Sequence, residues 1–120
     1  MKLQIEGSQL RFRLSEAELA RLLDGEAVLD RTTWPEGLAT RTLHLSDIDV
    51  PALRWHGADI ELTLPRAAVE AYATTLPRRD ALAFVLGASE AALLQIDFEV
   101  DVRDSVRTRL PPKASRADAP

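Results

Sequence analysis

Lys2-Leu3-Gln4-Ile5-Glu6-Gly7-Ser8-Gln9-Leu10-Arg11-Phe12-Arg13-Leu14-Ser15-Glu16-Ala17-Glu18 holds two period-two alternations on either side of a glycine, followed by a helix start. Residues 2–6 alternate polar and apolar. After Gly7-Ser8, Leu10, Phe12 and Leu14 fall on one side and Arg11 and Arg13 on the other. Two such runs around a glycine turn predict a hairpin with one buried face. Ser15 and Glu18 then have capping-box spacing, in which the serine hydroxyl accepts from the N3 amide and the glutamate reaches back. Leu19, Leu22 and Leu23 supply the apolar stripe of the helix, and Gly25 is a natural stop.

Working outward, residues 26–33 and 38–46 read as extended segments around a Pro35-Glu36-Gly37 turn. The pattern then recurs. Leu53 to Gly57 leads into Ala58–Leu64, where Ile60, Leu62 and Leu64 alternate with Asp59, Glu61 and Thr63. Pro65 is read at the first helical turn, where its missing amide costs nothing, and a helix follows over 65–75. A hairpin of Ala81–Leu86 and Ala92–Arg103 closes the unit, with Leu94, Ile96, Phe98, Val100 and Val102 facing one way.

Residue n laid over residue n+50 needs no gap: Leu3 meets Leu53, Gly7 meets Gly57, Leu14 meets Leu64 and Gly37 meets Gly87. The expected fold is therefore α+β, an internally duplicated pair of β-β-α-β-β units. Copy one spans about 1–50 and copy two about 51–103, forming a single domain. Each of the roughly eight strands has one apolar face, so a sheet of antiparallel strands would be covered on one side only. Two short helices cannot cover eight flat strands, so the sheet is expected to curl or close into a barrel.

The chain has 120 residues, 46% of them hydrophobic, which suffices for a packed core. No cysteine is present, so disulfides, thiolate metal sites and cysteine nucleophiles are excluded. The net charge of −4 gives no reason to expect nucleic acid or an anionic membrane as partner. It divides unevenly: residues 1–102 hold 10 basic and 17 acidic side chains, residues 103–120 hold 5 and 2. Residues 104–120, with Pro111-Pro112 and no periodicity, read as a disordered, solvated tail. Arg11 and Arg13 interrupt the only N-terminal apolar stretch, and no run approaches the ~20 apolar residues of a membrane span. A cytoplasmic protein is expected.

Asp97, Glu99 and Asp101 share one strand face by their i, i+2, i+4 spacing, and as hard oxygen donors they are candidates for Mg²⁺ or Ca²⁺. The commoner role of such a row is a solvated face balanced by arginines. Arg11 and Arg13, with Arg41, are candidate anion forks. Arginines on the exposed side of a strand are more often cross-strand partners of acids such as Asp97, Glu99 or Asp101. His44 and His56 have no metal spacing and read as surface or turn residues. Trp34 beside Pro35 and Trp55 before Gly57 would stack on a ligand if exposed, but packing in a core or loop is the expected role. No P-loop, dinucleotide glycine pattern, nucleophile elbow or basic–aromatic RNA surface is present.

Lys2 to Gly7 and Leu10-Arg11-Phe12-Arg13-Leu14-Ser15 resemble the opening of a family of small uncharacterised bacterial proteins. These begin with a Lys-hydrophobic-x-hydrophobic-x-Gly strand, then Leu-Arg-x-Arg-Leu-Ser/Thr and an acidic helix start. Leu94 to Asp97-Phe98 is similar to their C-terminal strand. A cysteine often follows that Asp-Phe in the family, whereas Glu99-Val100 stands here, so any thiol role is missing. The resemblance covers residues 1 to about 103 and implies a fold without a mechanism. The expected function is a non-catalytic binding or self-association module, taking a protein partner or a second copy and no cofactor. The alternative is a metal-dependent triphosphate-processing barrel, with Lys2, Glu6, Arg11, Arg13, Glu61, Glu99 and Asp101 lining a tunnel. Against it, the N-terminal strand lacks the Glu-x-Glu-x-Lys signature of such enzymes.

Overall fold

The computed structural model describes residues 1–87 and 89–102. The expected disordered tail, residues 104–120, lies outside the described residues. Strands β1 (Lys2–Glu6) and β2 (Gln9–Ser15) form the opening hairpin, with Gly7 at φ +56° in its turn. Helix α1 (Glu16–Leu23) starts on the capping box: the Glu18 amide donates to Ser15 Oγ at 3.1 Å, and the Ser15 amide donates to Glu18 Oε1 at 2.9 Å. The N-terminal ammonium also donates to Glu18 Oε2 at 2.5 Å. Burial pushes the Glu18 carboxyl up, but the bonds from the N-terminal ammonium and from Ser15 outweigh it and hold it below its ordinary value.

The first half ends with the hairpin β3 (Val28–Trp34) and β4 (Gly37–Ser46). The second half has the same order: β5 (Ala52–His56), β6 (Asp59–Pro65), α2 (Arg66–Ala73), β7 (Leu82–Gly87) and β8 (Leu93–Asp101). Pro65 ends β6 and caps α2 without a side-chain hydrogen bond, so Arg66, not Pro65, takes the first helical position.

The eight strands do not form one antiparallel, barrel-like sheet. They divide into two four-stranded sheets, ordered β1-β2-β8-β7 and β3-β4-β6-β5. Each half gives its first hairpin to one sheet and its second to the other. The joins between halves, β2 with β8 and β4 with β6, are parallel, and every hairpin pair is antiparallel. A hairpin can only deliver antiparallel neighbours, whereas strands taken from different hairpins are free to run parallel: β5 alone separates β4 from β6, and the rest of the chain separates β2 from β8. Edge strands β1 and β7 of one sheet make no pairing with β3 and β5 of the other, so among the described residues no barrel closes.

Both sheets turn their apolar faces onto one core. Leu10, Phe12 and Leu14 of β2 meet Ile96, Phe98 and Val100 of β8, and Leu43, Leu62 and Leu64 come from the other sheet. Leu19 and Leu22 of α1 and Val69 and Tyr72 of α2 complete it. The Tyr72 ring stands edge-on to Phe98 at 5.9 Å between centroids, and its hydroxyl donates to the Asp80 carbonyl at 2.8 Å. That hydrogen bond lets the polar tip share the core without an unmade bond.

The halves correspond at an offset of 50 through their first hairpin and helix, Lys2↔Arg13 matching Ala52↔Thr63. Beyond the helix the offset grows. Phe98 beside Phe12 matches Leu43 beside Leu62, so the last strands correspond at 55. The longer connection after α2 and the longer turn before β8 account for the shift. Gly37 and Gly87 are consequently not equivalent: Gly37 opens β4 and Gly87 closes β7.

Candidate functional site

The row of acids lies on the outer face of the first sheet, opposite the arginines. Arg11 is in register with Asp97, Arg13 with Glu99 and Ser15 with Asp101. Arg11 Nη2 is 3.8 Å from Asp97, its Nε is 3.9 Å from Glu99, and Arg13 Nε is 4.0 Å from Glu99. Asp97 is buried on this outer face, beneath Gln9 and Gln95, whose side-chain amides donate to it at 2.7 and 2.9 Å. Among the described residues no three acidic or histidine side chains gather as a metal would need. The geometry is that of a cross-strand charge lattice, in which exposed pairs contribute about 0–1 kcal/mol each.

Glu61 faces out from the second sheet, where His44 Nε2 lies 3.2 Å from its carboxylate and 2.8 Å from Thr63 Oγ1. The charged residues of a tunnel thus sit on two separate outer faces, and an apolar core lies between the sheets.

Arg41 is not near Arg11 and Arg13. It projects from the inner face of the second sheet, where β3 and β4 depart from the apolar pattern. Past Val28, β3 places Asp30, Thr32 and Trp34 on that face, opposite Arg41, Ala39 and Gly37. Arg41 Nε donates to Asp30 Oδ2 at 2.9 Å, its Nη2 lies 2.7 Å from the same oxygen as an ion pair, and Nη2 donates to Thr32 Oγ1 at 2.6 Å. The Arg41 side chain is 16% exposed and that of Asp30 35%. At the corresponding positions of the other sheet, Phe84 pairs with Ile96 and Leu86 with Leu94. One half fills these inner positions with hydrocarbon and the other with an ion pair.

This polar network borders an open cleft of about 660 Å³. Ile5 from β1, Trp34 from the end of β3 and Trp55 from β5 also line it. Trp34 and Trp55 are 54% and 60% exposed, and Ile5 is 57% exposed. Each indole sits beside a turn. Trp34 precedes Pro35-Glu36, and Trp55 lies two residues before Gly57, whose φ of +57° tightens the β5–β6 turn. The Trp55 indole Nε1 donates to the Gly57 carbonyl at 2.8 Å, which fixes the ring while leaving its face open.

The sequence reading marked both tryptophans but expected them to pack, and it passed over Asp30 and Thr32. One signal was available: in Asp30-Arg31-Thr32-Thr33 both faces of the strand are polar, so the strand cannot lie wholly in a core. That the two indoles share a cleft is a consequence of strand order and has no local signature.

Among the described residues no helix is long and apolar enough to cross a membrane. A sequence model of a family of unknown function (DUF7009) matches residues 1–103. No curated protein and no solved structure matches the chain.

Proposed function

We propose, for a chain that belongs to this family of unknown function, the role of a non-catalytic binding module whose ligand occupies the cleft between Trp34 and Trp55. One observation carries this reading: two exposed indoles from different hairpins open onto the same cleft beside a half-buried polar network. Exposed aromatic rings around a few placed polar groups are the usual make-up of a ligand site. The Arg41–Asp30 pair adds weight. Replacing a sequestered ion pair by hydrocarbon is often neutral or stabilising, and the other sheet does use hydrocarbon there. Stability alone gives no reason to keep the charges.

The shared order and pairings of the two halves support an internal duplication, copy one about 1–50 and copy two about 51–103, within a single domain. In that view one copy has kept its inner face for the core and the other has given part of it to the cleft.

The chain has two tryptophans, so a ¹⁵N spectrum contains two indole N–H peaks, both from the cleft. Titration with a library of small ring-bearing amides and alcohols is expected to move both peaks saturably for some members. If no compound moves either peak while others bind elsewhere on the protein, the cleft is not the site.

A further inference from the structure

We infer that the cleft takes a neutral, ring-bearing polyol, a saccharide, with its ring faces on the Trp34 and Trp55 indoles and adjacent hydroxyls on the Asp30–Arg41 pair. This rests on the cleft being the binding site.

Charge is the first discriminator. Asp30 already holds the Arg41 guanidinium by a hydrogen bond from Nε and an ion-pair contact with Nη2, so a phosphate or carboxylate would compete for the same fork and meet the Asp30 carboxylate beside it. Of the other cations of the lining, the Met1 ammonium is already held by Glu18, and Lys2 sits at the exposed start of an edge strand. The described body is acidic as well, with 17 acidic against 10 basic residues in 1–102, which disfavours polyanions.

Polarity is the second. A wholly apolar ligand would strip water from Arg41, Asp30 and Thr32 without replacing its hydrogen bonds. Three capacities remain open on these residues. Arg41 Nη1 has no partner among the described residues, Asp30 Oδ1 accepts no bond there, and the Thr32 hydroxyl keeps its own proton after accepting from Arg41. A donor and an acceptor therefore lie side by side on paired strands, Asp30 being in register with Arg41. Vicinal hydroxyls, each able to donate and accept, match that arrangement.

Shape is the third. The exposed indole faces offer flat, polarisable surfaces for the C–H face of a pyranose ring. An extended peptide would take its main affinity from backbone groups along an open strand edge. Edge strand β1 borders this cleft as well, but the groups on which the discrimination rests, Arg41, Asp30 and Thr32, are side chains on the inner face of the other sheet.

The test uses the intact ¹⁵N-labelled chain with cellobiose, maltotriose, diacetylchitobiose, inorganic phosphate, a proline-rich decapeptide and benzamide as separate probes. At least one saccharide is expected to shift both indole peaks saturably. Trp34→Ala and, independently, Asp30→Asn should weaken that saccharide at least about tenfold while the remaining spectrum stays folded; Trp34→Phe covers the case of a Trp34→Ala chain that fails to fold. Shifts produced by phosphate, the peptide or benzamide but by no saccharide would overturn the ligand class and leave the cleft as the site. If none of the probes, nor any member of the ring-bearing library, moves either indole peak, both the class and the cleft reading fall.

Discussion

Arg41 holds Asp30 across the β3–β4 pair, its Nε donating to Oδ2 at 2.9 Å and its Nη2 2.7 Å from the same oxygen, at positions that the other sheet fills with Ile96 and Phe84. An ion pair stands where the fold accepts hydrocarbon.

Removing one partner and removing both should therefore act differently. Asp30→Ala leaves a largely sequestered guanidinium without its acceptor and is expected to cost about 1–3 kcal/mol. The double change Asp30→Phe with Arg41→Ile, copying the other sheet, is expected within about 1 kcal/mol of the parent or more stable. Urea denaturation of the three proteins measures both, and a double variant far less stable than Asp30→Ala would contradict the equivalence of the two sheets.

The tryptophans are expected to matter little for folding. More than half of each indole is exposed, so Trp34→Ala and Trp55→Ala should each change stability by no more than about 1 kcal/mol. Acrylamide should quench the parent's emission as it does solvated indole. A blue-shifted emission resistant to quenching would show that the rings are covered.

Gly57 and Gly7 have the same backbone and different neighbours. Their φ values are +57° and +56°, with open space where a Cβ would go, so alanine at either should cost about 1–2 kcal/mol through the backbone alone. The Gly57 carbonyl also holds the Trp55 indole. Gly57→Ala should shift the Trp55 indole peak, and Gly7→Ala should leave it in place.

Stability at low pH follows from Glu18. Its carboxyl lies below the ordinary value in the folded chain, held there by the N-terminal ammonium and Ser15 despite the opposing effect of burial. A depressed folded value means the unfolded chain binds the proton more readily. The contribution is thus present above the unfolded carboxylate range of about 4.3 and is lost as pH falls through the folded value. Glu18→Gln should flatten the acid limb of a stability–pH curve, and Ser15→Ala should cost about 1 kcal/mol at neutral pH through the lost cap. An acid limb unchanged in Glu18→Gln would assign it to other carboxyls.

Local features were legible where their cause is local. The Gly7-Ser8 turn, the Ser15–Glu18 capping box and the inward row Ile96, Phe98 and Val100 rest on spacing within a few residues, and the structure contains them as read. The cross-strand pairing of Arg11 and Arg13 with acids of β8 was also within reach, since alternation places like-facing charges on one surface. The position of Arg41 relative to Arg11 and Arg13 was not legible, because a period-two pattern gives a residue's side of its strand but not which sheet the strand joins.

The sequence by itself determined the strand–strand–helix–strand–strand order of each half, the caps and turns that punctuate it, and the residues able to face a core. Its alternation and its glycine turns act within one hairpin. Only the tertiary structure decided that each half would divide its hairpins between two sheets, with parallel joins of β2 to β8 and β4 to β6. Those joins are made by backbone groups common to every residue, so side-chain alternation alone does not fix which strands are joined or in which direction. The same joins bring Trp34, Trp55 and the Asp30–Arg41 pair onto one cleft, from segments that are separate hairpins in the chain.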